Sequence, residues 1–336
     1  MVLNMELGEN SYDILVMRGA LSNVGKYFKL DRKVLILTDS GVPMEYAQAV
    51  LGASKCGYVY TIPEGEASKS FENYKNILSF MAENSFTRTD CVVSVGGGVV
   101  GDLGGFVAST YMRGIDFYNV PTTLLSQLDS SIGGKVAIDL GGIKNIVGAF
   151  YQPKMVLIDP DTLKTLDKRQ KMAGLCECIK MAATMDNDLF CLIESTSDLE
   201  SDLDKIIIGG LKLKKAVVEK DPHEKNLRKV LNFGHTIGHA IESVSDFGLL
   251  HGECVGLGML PMAEKGVRAR LEKVLKKYNL PTKIEISSDI LIDYIKKDKK
   301  AKGDIVTVIY VPEIGKFQMI DTEINEMKKY IDGGIL

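Results

Sequence analysis

No stretch of this chain approaches the roughly 18 consecutive apolar residues that a membrane-spanning helix requires, so no membrane partner is expected. Residues 1–16, MVLNMELGENSYDILV, carry neither a basic segment nor a long apolar core, and no secretion signal is expected there. Net charge is only −3 over 336 residues, which gives no global attraction for nucleic acid or an anionic surface. The six cysteines, at 56, 91, 176, 178, 191 and 254, follow no framework spacing. They read as reduced thiols in a cytoplasmic protein. Internal repeats and low-complexity tracts are absent as well. What remains is a hydrophobic content of 45% and a charged content of 25%, the balance of a globular enzyme long enough for two domains.

Periodicity orders the chain into two halves. Residues 2–17 read as a hairpin turning at Gly8-Glu9-Asn10. Strand signals then recur at 33–39, 58–62, 90–95, 117–120 and 155–159, with a helical pattern over 72–83. Alternating units of this kind imply a mostly parallel sheet covered by helices on both faces. Beyond about residue 160 the segments 186–195, 199–219, 228–244, 252–277 and 290–297 read as helices, and 304–320 as a late hairpin turning near Gly315. The expected fold is α/β: a Rossmann-like, mostly parallel sheet domain over 1–160, followed by a mainly α-helical domain over 161–336. A ligand is expected in the cleft between them, at the carboxyl ends of the strands.

Turn formers and polar groups are densest between Ser94 and Asn145. The apolar run Cys91–Val95 empties into Gly96-Gly97-Gly98-Val99-Val100-Gly101-Asp102. Glycines there let backbone N–H groups approach a phosphate at the start of a helix. The run fits G-x-G-x-x-G, but it sits in a late βα unit, and Asp116 precedes the next strand instead of ending one, so the ordinary dinucleotide fingerprint fits poorly. A P-loop is excluded, because Gly133-Gly134-Lys135 lacks the Ser/Thr that should follow. A tight strand–helix turn that needs small residues for packing remains an open alternative. Asp39, at a strand end, and Glu66 and Lys69, in PEGEASK, occupy loop positions suited to ribose and adenine, although a charge at such a position, taken singly, is more often just a solvated loop charge.

Downstream, Arg228, Asn232, His235 and His239 fall at i, i+4, i+7 and i+11, one face of a helix, with Lys214 on the helix before. Gly234 and Gly238 flank the histidines at a helix cost of roughly 1 kcal/mol each, which implies close approach of another element. H-x-x-x-H spacing suits a divalent metal, and His251 follows at a helix start. Glu177 stands in AGLCECIKM, among small and apolar residues, where a carboxylate needs a partner; Lys180 lies at i+3. Cys176 and Cys178 point about 200° apart on a helix and read as core residues. Glu177, His235 and His251 make a three-ligand set with open positions, as a catalytic zinc requires. Spacing alone leaves this open beside a solvated polar face.

Taken together, PEGEASK, GGGVVGDLGGF, NVPTTLLSQLDSSIGGK, IKNIVGAFYQP, DPDTLKTL, AGLCECIK, RKVLNFGHTIGHAIE and LHGECVGLGM resemble the 3-dehydroquinate synthases of the sugar-phosphate cyclase family, over nearly the whole chain. That resemblance implies NAD and one divalent metal, zinc or else cobalt. It implies metal ligation by Glu177, His235 and His251. It places Glu66, Lys69, Gly98, Val99, Val100, Gly101, Asp102, Thr122, Thr123, Lys144, Thr162, Leu163, Lys164 and Thr165 on NAD-binding motifs. Lys135, Lys180, Lys214, Arg228, Asn232 and His239 fall on substrate-binding motifs, Lys135 also adjoining the cofactor set, as do Arg113, Asp129 and either Lys299 or Lys300. The implied substrate is the carboxylate-bearing sugar phosphate 3-deoxy-D-arabino-heptulosonate 7-phosphate. The implied reaction is transient oxidation by NAD, β-elimination of phosphate, re-reduction, ring opening and aldol closure, within aromatic amino-acid biosynthesis. A homodimer is implied too. The chain departs from the family at Cys176-Glu177-Cys178, where Ala-Glu-Val is common, and at Asp221-Pro222, where Asp-Glu is common. Other cyclases, metal-dependent polyol or alcohol dehydrogenases, and a non-catalytic binding protein are the competing readings.

Overall fold

The structure, a computed structural model, describes residues 1–245, 248–299 and 303–334. It comprises two compact units, Met1–Asp167 and Lys168–Leu336.

In the first unit the strands are β1 (Val2–Met5), β2 (Tyr12–Val16), β3 (Lys33–Asp39), β4 (Cys56–Ile62), β5 (Cys91–Gly96), β6 (Asp116–Pro121), β7 (Lys135–Leu140), β8 (Ile143–Phe150) and β9 (Met155–Ile158). The helices are α1 (Met44–Ala53), α2 (Phe71–Glu83) and α3 (Gly98–Thr110). A seven-stranded sheet runs in the order β1-β2-β9-β6-β5-β3-β4. Every neighbouring pair is parallel except β1–β2. Strands β3 and β5 read as continuous apolar runs because they are buried on both faces. Alternate residues supply two cores: Val34, Ile36, Val93 and Val95 pack with Ala47 and Val50 of α1 on one face. Leu35, Leu37 and Val92 pack with Ile77 and Met81 of α2 and Leu103 and Val107 of α3 on the other. Each fully buried aliphatic side chain contributes about 1.5–3 kcal/mol before conformational entropy is set against it. Because β3, β4, β5, β6 and β9 are parallel, their carboxyl ends share one edge of the sheet, and motifs remote in sequence leave from it.

The expected N-terminal hairpin is present as β1–β2. A second hairpin, β7–β8, lies in the glycine-rich segment read as ligand loop; it turns at Gly141-Gly142, both with positive φ (61° and 76°), as tight hairpin turns demand.

The second unit contains α4 (Lys168–Met185), α5 (Asn187–Ser195), α6 (Leu199–Lys220), α7 (His235–Val244), α8 (His251–Met259), α9 (Lys265–Lys277), α10 (Ser288–Lys299) and α11 (Met327–Gly334), with the antiparallel hairpin β10 (Ile305–Glu313) and β11 (Lys316–Glu323). Asp186 and Asp198 start α5 and α6 by accepting hydrogen bonds from first-turn N–H groups. α4 is buried without interruption from Lys171 to Thr184, as a helix surrounded on all sides must be.

Two expected helices prove to be broken. Residues 228–244 do not form one helix: a 3-10 stretch, Leu227–Asn232, gives way to α7 across Phe233-Gly234. Gly234 has φ +77°, and a Cβ there would lie 2.7 Å from the Val255 carbonyl oxygen, so the chain turns where α8 packs against it. Arg228 and Asn232 therefore do not share a continuous helical face with His235 and His239. The segment 252–277 is likewise interrupted, by a turn at Leu260–Met262 whose Pro261 lacks the N–H that a continuing helix needs. Among the described residues no helix is long and apolar enough to cross a membrane.

Candidate active site

Three helices of the second unit bring the acidic and imidazole groups together. Glu177 lies on α4, His235 and His239 on α7, and His251 opens α8. Small residues let the backbones touch. A Cβ on Gly252 would fall 1.9 Å from the carbonyl oxygen of Ala173, one turn before Glu177 on α4. A Cβ on Gly258 would fall 2.1 Å from the Gly234 carbonyl oxygen. Backbone contact in place of side-chain packing draws the imidazoles inward. Ring centroids of His235, His239 and His251 stand 5.2, 5.4 and 5.7 Å apart pairwise, and one nitrogen of each lies within 4.8 Å of the others.

Glu177 is fully buried. Its Oε2 forms an ion pair with Lys180 Nζ at 2.5 Å, and neither carboxylate oxygen has a hydrogen-bond partner among the described residues. Oε1 faces His251 Nε2 at 3.6 Å and His235 Nε2 at 4.0 Å. A buried carboxylate oxygen without a donor costs on the order of 1–3 kcal/mol or more. Both imidazoles are tied at the opposite nitrogen. His235 Nδ1 lies 3.2 Å from the Phe233 carbonyl oxygen, which can only accept, so Nδ1–H donates and Nε2 presents a lone pair. His251 Nδ1 lies 3.0 Å from Glu242 Oε2. Burial, then the nearby Lys180 charge and the other imidazoles, hold His235 well below the ordinary imidazole range, so its ring is neutral near pH 7. Burial pulls His251 down as well, but the Glu242 hydrogen bond and the Glu177 charge carry its net shift upward. One carboxylate oxygen without a donor and two inward-facing imidazole nitrogens form a donor set that suits a divalent cation. Cys176 and Cys178 are buried core residues; burial drives both thiols up, Cys178 to about 12, which leaves them inert.

Lys180, Lys214 and Arg228 are buried cations of the same unit. Arg228 is held by a turn that the sequence did not reveal. Asp221 accepts from the N–H groups of Lys225, Asn226 and Arg228 at 2.9, 2.7 and 3.0 Å. Arg228 Nη1 donates to the Pro222 carbonyl at 2.7 Å, and Asn232 Nδ2 to Glu224 Oε1 at 2.7 Å. Arg169 pairs with the buried Glu253, which also accepts from the Leu250 N–H at 2.8 Å and so anchors the start of α8. Lys299 closes α10; its alternative, Lys300, lies outside the described residues.

In the first unit, residues from several motifs gather at the carboxyl edge of the sheet. Gly97 caps α3 without a side-chain bond, leaving first-turn N–H groups available to an anion. A Cβ on Gly97 would sit 3.1 Å from Thr123, and one on Gly98 3.2 Å from Ser130 Oγ, so the loop is flanked by Thr123 and the π-helical turn Ser126–Ser130 that carries Asp129. The buried hydroxyls of Ser126, Ser130 and Ser131 have no hydrogen-bond partner there. The later glycines serve packing instead: a Cβ on Gly104 would meet Ser94 Oγ at 2.1 Å, and one on Gly105 would meet Val136 at 2.4 Å. Val100 is buried in the core and offers a ligand only its backbone, while Val99 is partly buried and Gly101 lies against Asn119.

Lys69 is buried with its Nζ 3.0 Å from Asp102 and 3.2 Å from Glu66. Burial pushes the Asp102 carboxyl up to about 6 against the pull of Lys69. Burial raises Asp39 too, against hydrogen bonds from the Gly41 and Val42 N–H groups, with Glu64 adding to the rise. Thr122 and Thr162 are buried, Thr162 accepting from Gln127 Nε2 at 3.1 Å. Leu163 is core, Lys164 pairs with Asp161 at 2.8 Å, and Thr165 meets the Tyr46 hydroxyl at 2.9 Å. Lys135 opens β7 opposite Phe150, whereas Lys144 follows the turn, so they stand at opposite ends of one hairpin. Arg113 is exposed beyond the carboxyl end of α3, the end remote from the glycine loop.

Models of the 3-dehydroquinate synthase N-terminal and C-terminal regions match residues 59–173 and 174–301. A 3-dehydroquinate synthase of Streptococcus mutans is 38% identical over 99% of this chain and 100% of that one. Another, of Clostridium acetobutylicum, is 41% identical over 98% of each. Among solved structures, a 2-deoxy-scyllo-inosose synthase complexed with carbaglucose-6-phosphate, NAD+ and Co2+ is 25% identical and aligns over 100% of both chains with a TM-score of 0.88.

Proposed function

The chain belongs to the 3-dehydroquinate synthase family, and from that premise we propose that it converts 3-deoxy-D-arabino-heptulosonate 7-phosphate into 3-dehydroquinate and inorganic phosphate. The observation that carries this reading is the buried Glu177 Oε1, without a hydrogen bond and faced by two imidazole Nε2 atoms beside the buried Lys180. In this reading Glu177, His235 and His251 hold a divalent metal, zinc by preference. Asp39, Glu66, Lys69, Gly98 to Asp102, Thr122, Thr123, Lys144 and Thr162 to Thr165 hold NAD. Bound there, NAD supplies a reversible hydride acceptor and the metal a Lewis acid.

The chain's own groups do the remaining work. Lys180, Lys214 and Arg228 provide fixed positive charge for a carboxylate and a phosphate, with the planar Arg228 fork suited to bidentate contact and the lysines acting as point charges. Lys135, Asn232, Asp129 and the lysine at 299 or 300 complete the substrate set, whereas Arg113, at the far end of α3 from the glycine loop, is left out of it. His239, whose ring lies 5.2 Å from that of His235, manages a proton beside the metal ligands. A dehydrogenase of simple alcohols has no use for this concentration of buried cations. The six free cysteines suit a reducing cytoplasm, and a homodimer is the assembly we propose.

The decisive assay supplies the heptulosonate phosphate, substoichiometric NAD and zinc. Phosphate is expected to be released over many turnovers without lasting NADH absorbance. A chelator stops the release, and zinc or cobalt restores it. Net NADH accumulation on a simple alcohol, with no phosphate release, would move the chain to the dehydrogenases. Asp102→Ala, in turn, raises the NAD dissociation constant about tenfold, the effect of losing one charge-assisted contact at the loop; titration calorimetry measures it, and unchanged affinity removes Asp102 from the NAD set.

A further inference from the structure

The two imidazoles that face Glu177 are secured by acceptors of different strength. His235 meets a neutral carbonyl two residues earlier in the chain, that of Phe233. His251 meets a carboxylate, Glu242 Oε2, contributed by α7. An ionised carboxylate can only accept, so the proton of a neutral His251 ring resides on Nδ1 and the Nε2 lone pair is left facing Glu177 Oε1 at 3.6 Å. The ring is thereby held between acidic groups of two helices, α4 and α7, while its own backbone belongs to a third.

His251 has particular need of such a brace. It is the first residue of α8, and its side chain is 34% exposed, against 14% for His235. An imidazole at a helix start, with water on one side, is free to turn about χ2 and exchange its two nitrogens, because that torsion has no sharp staggered wells. Glu242 lies seven residues after His235 on the same helix, so whatever seats His235 also seats the brace for His251.

We infer that Glu242 is a positioning residue of the metal centre, fixing His251 in the tautomer and rotamer that present Nε2 and strengthening that nitrogen as a ligand. The inference rests on the reading of Glu177, His235 and His251 as ligands. Partners of this kind typically change metal affinity 10–100-fold.

The test uses the full chain stripped of metal, with zinc affinity measured by competition against a chromophoric chelator and cobalt(II) visible spectra recorded in parallel. Glu242→Ala is expected to weaken zinc binding 10–100-fold and to alter the cobalt bands, with the melting temperature of the metal-free protein unchanged. Glu242→Gln, whose amide oxygen still accepts from Nδ1–H but carries no charge, is expected to restore the parental cobalt bands and part of the affinity. Parental zinc affinity and parental cobalt bands in Glu242→Ala overturn the inference. So does a glutamine variant that recovers thermal stability but neither bands nor affinity, which marks the contact as merely structural. Should the alanine variant not fold, the glutamine variant decides alone: parental bands with weakened zinc binding support the role, and fully parental affinity overturns it. If the parent chain itself takes up no zinc or cobalt, the ligand assignment falls, a result distinct from failure of the brace.

Discussion

Glu177→Gln is expected to yield a protein that holds no stoichiometric metal and has lost turnover by far more than the 10–100-fold typical of an outer partner. The substitution keeps the shape of the side chain and removes its charge. An amide oxygen is a poor substitute for the one anionic ligand of a three-donor set. It also strips Lys180 of the carboxylate 2.5 Å away, inside a region where both side chains are buried. Breaking one half of a buried ion pair costs about 3–5 kcal/mol, because the surviving charge stays desolvated. The variant should therefore melt lower than metal-free parent protein, in addition to being inactive. Metal content by atomic absorption and phosphate release give the two readouts; stoichiometric zinc in the variant would remove Glu177 from the ligand set.

The second large effect needs no change in any charged group. In Gly252→Ala a single methyl would stand 1.9 Å from the Ala173 carbonyl oxygen. Neither atom is the end of a flexible side chain, since one is fixed to α8 and the other to the backbone of α4. The start of α8 must move by roughly an ångström, as close-packed interiors do not absorb such an overlap. His251 is the neighbouring residue and moves with it, away from Glu177. A misplacement of that size costs on the order of 10²-fold in rate, and overpacking lowers stability by about 1–3 kcal/mol. Gly52→Ala on α1 is the control, because a Cβ there meets nothing within 4 Å, and it should leave phosphate release unchanged. Parental turnover and parental zinc affinity in Gly252→Ala would show that the α4–α8 contact does not set the site.

How far these features could be read from sequence depended on how local their causes are. The runs of β3 and β5 were legible because burial on both faces leaves a continuous apolar signature. Helices α5 and α6 were legible through their amphipathic spacing, and the aspartates that cap them stand in plain sequence. Glu177 stood out because a carboxylate among small apolar residues must have a partner, and Gly234 and Gly238 announced a close neighbour. The sequence did not disclose that Gly234 also turns the chain, since a left-handed φ and a close approach use the same residue type. The β7–β8 hairpin was hidden inside a segment whose glycines and lysines resemble a ligand loop. Glu242 and the Asp221 turn around Arg228 were hidden for another reason. The first depends on how α7 crosses α8, the second on a loop conformation, and neither is encoded in a short spacing.

The central claim is that Glu177, His235 and His251 close on one divalent cation. An anomalous difference map at the zinc edge, from crystals of the zinc-loaded chain, tests it most directly. The account predicts one strong peak about 2.0–2.2 Å from a Glu177 carboxylate oxygen and from Nε2 of both histidines, absent from Glu177→Gln crystals grown alike. A zinc-loaded crystal with no peak among those side chains, or with the metal bound by other residues, would contradict it.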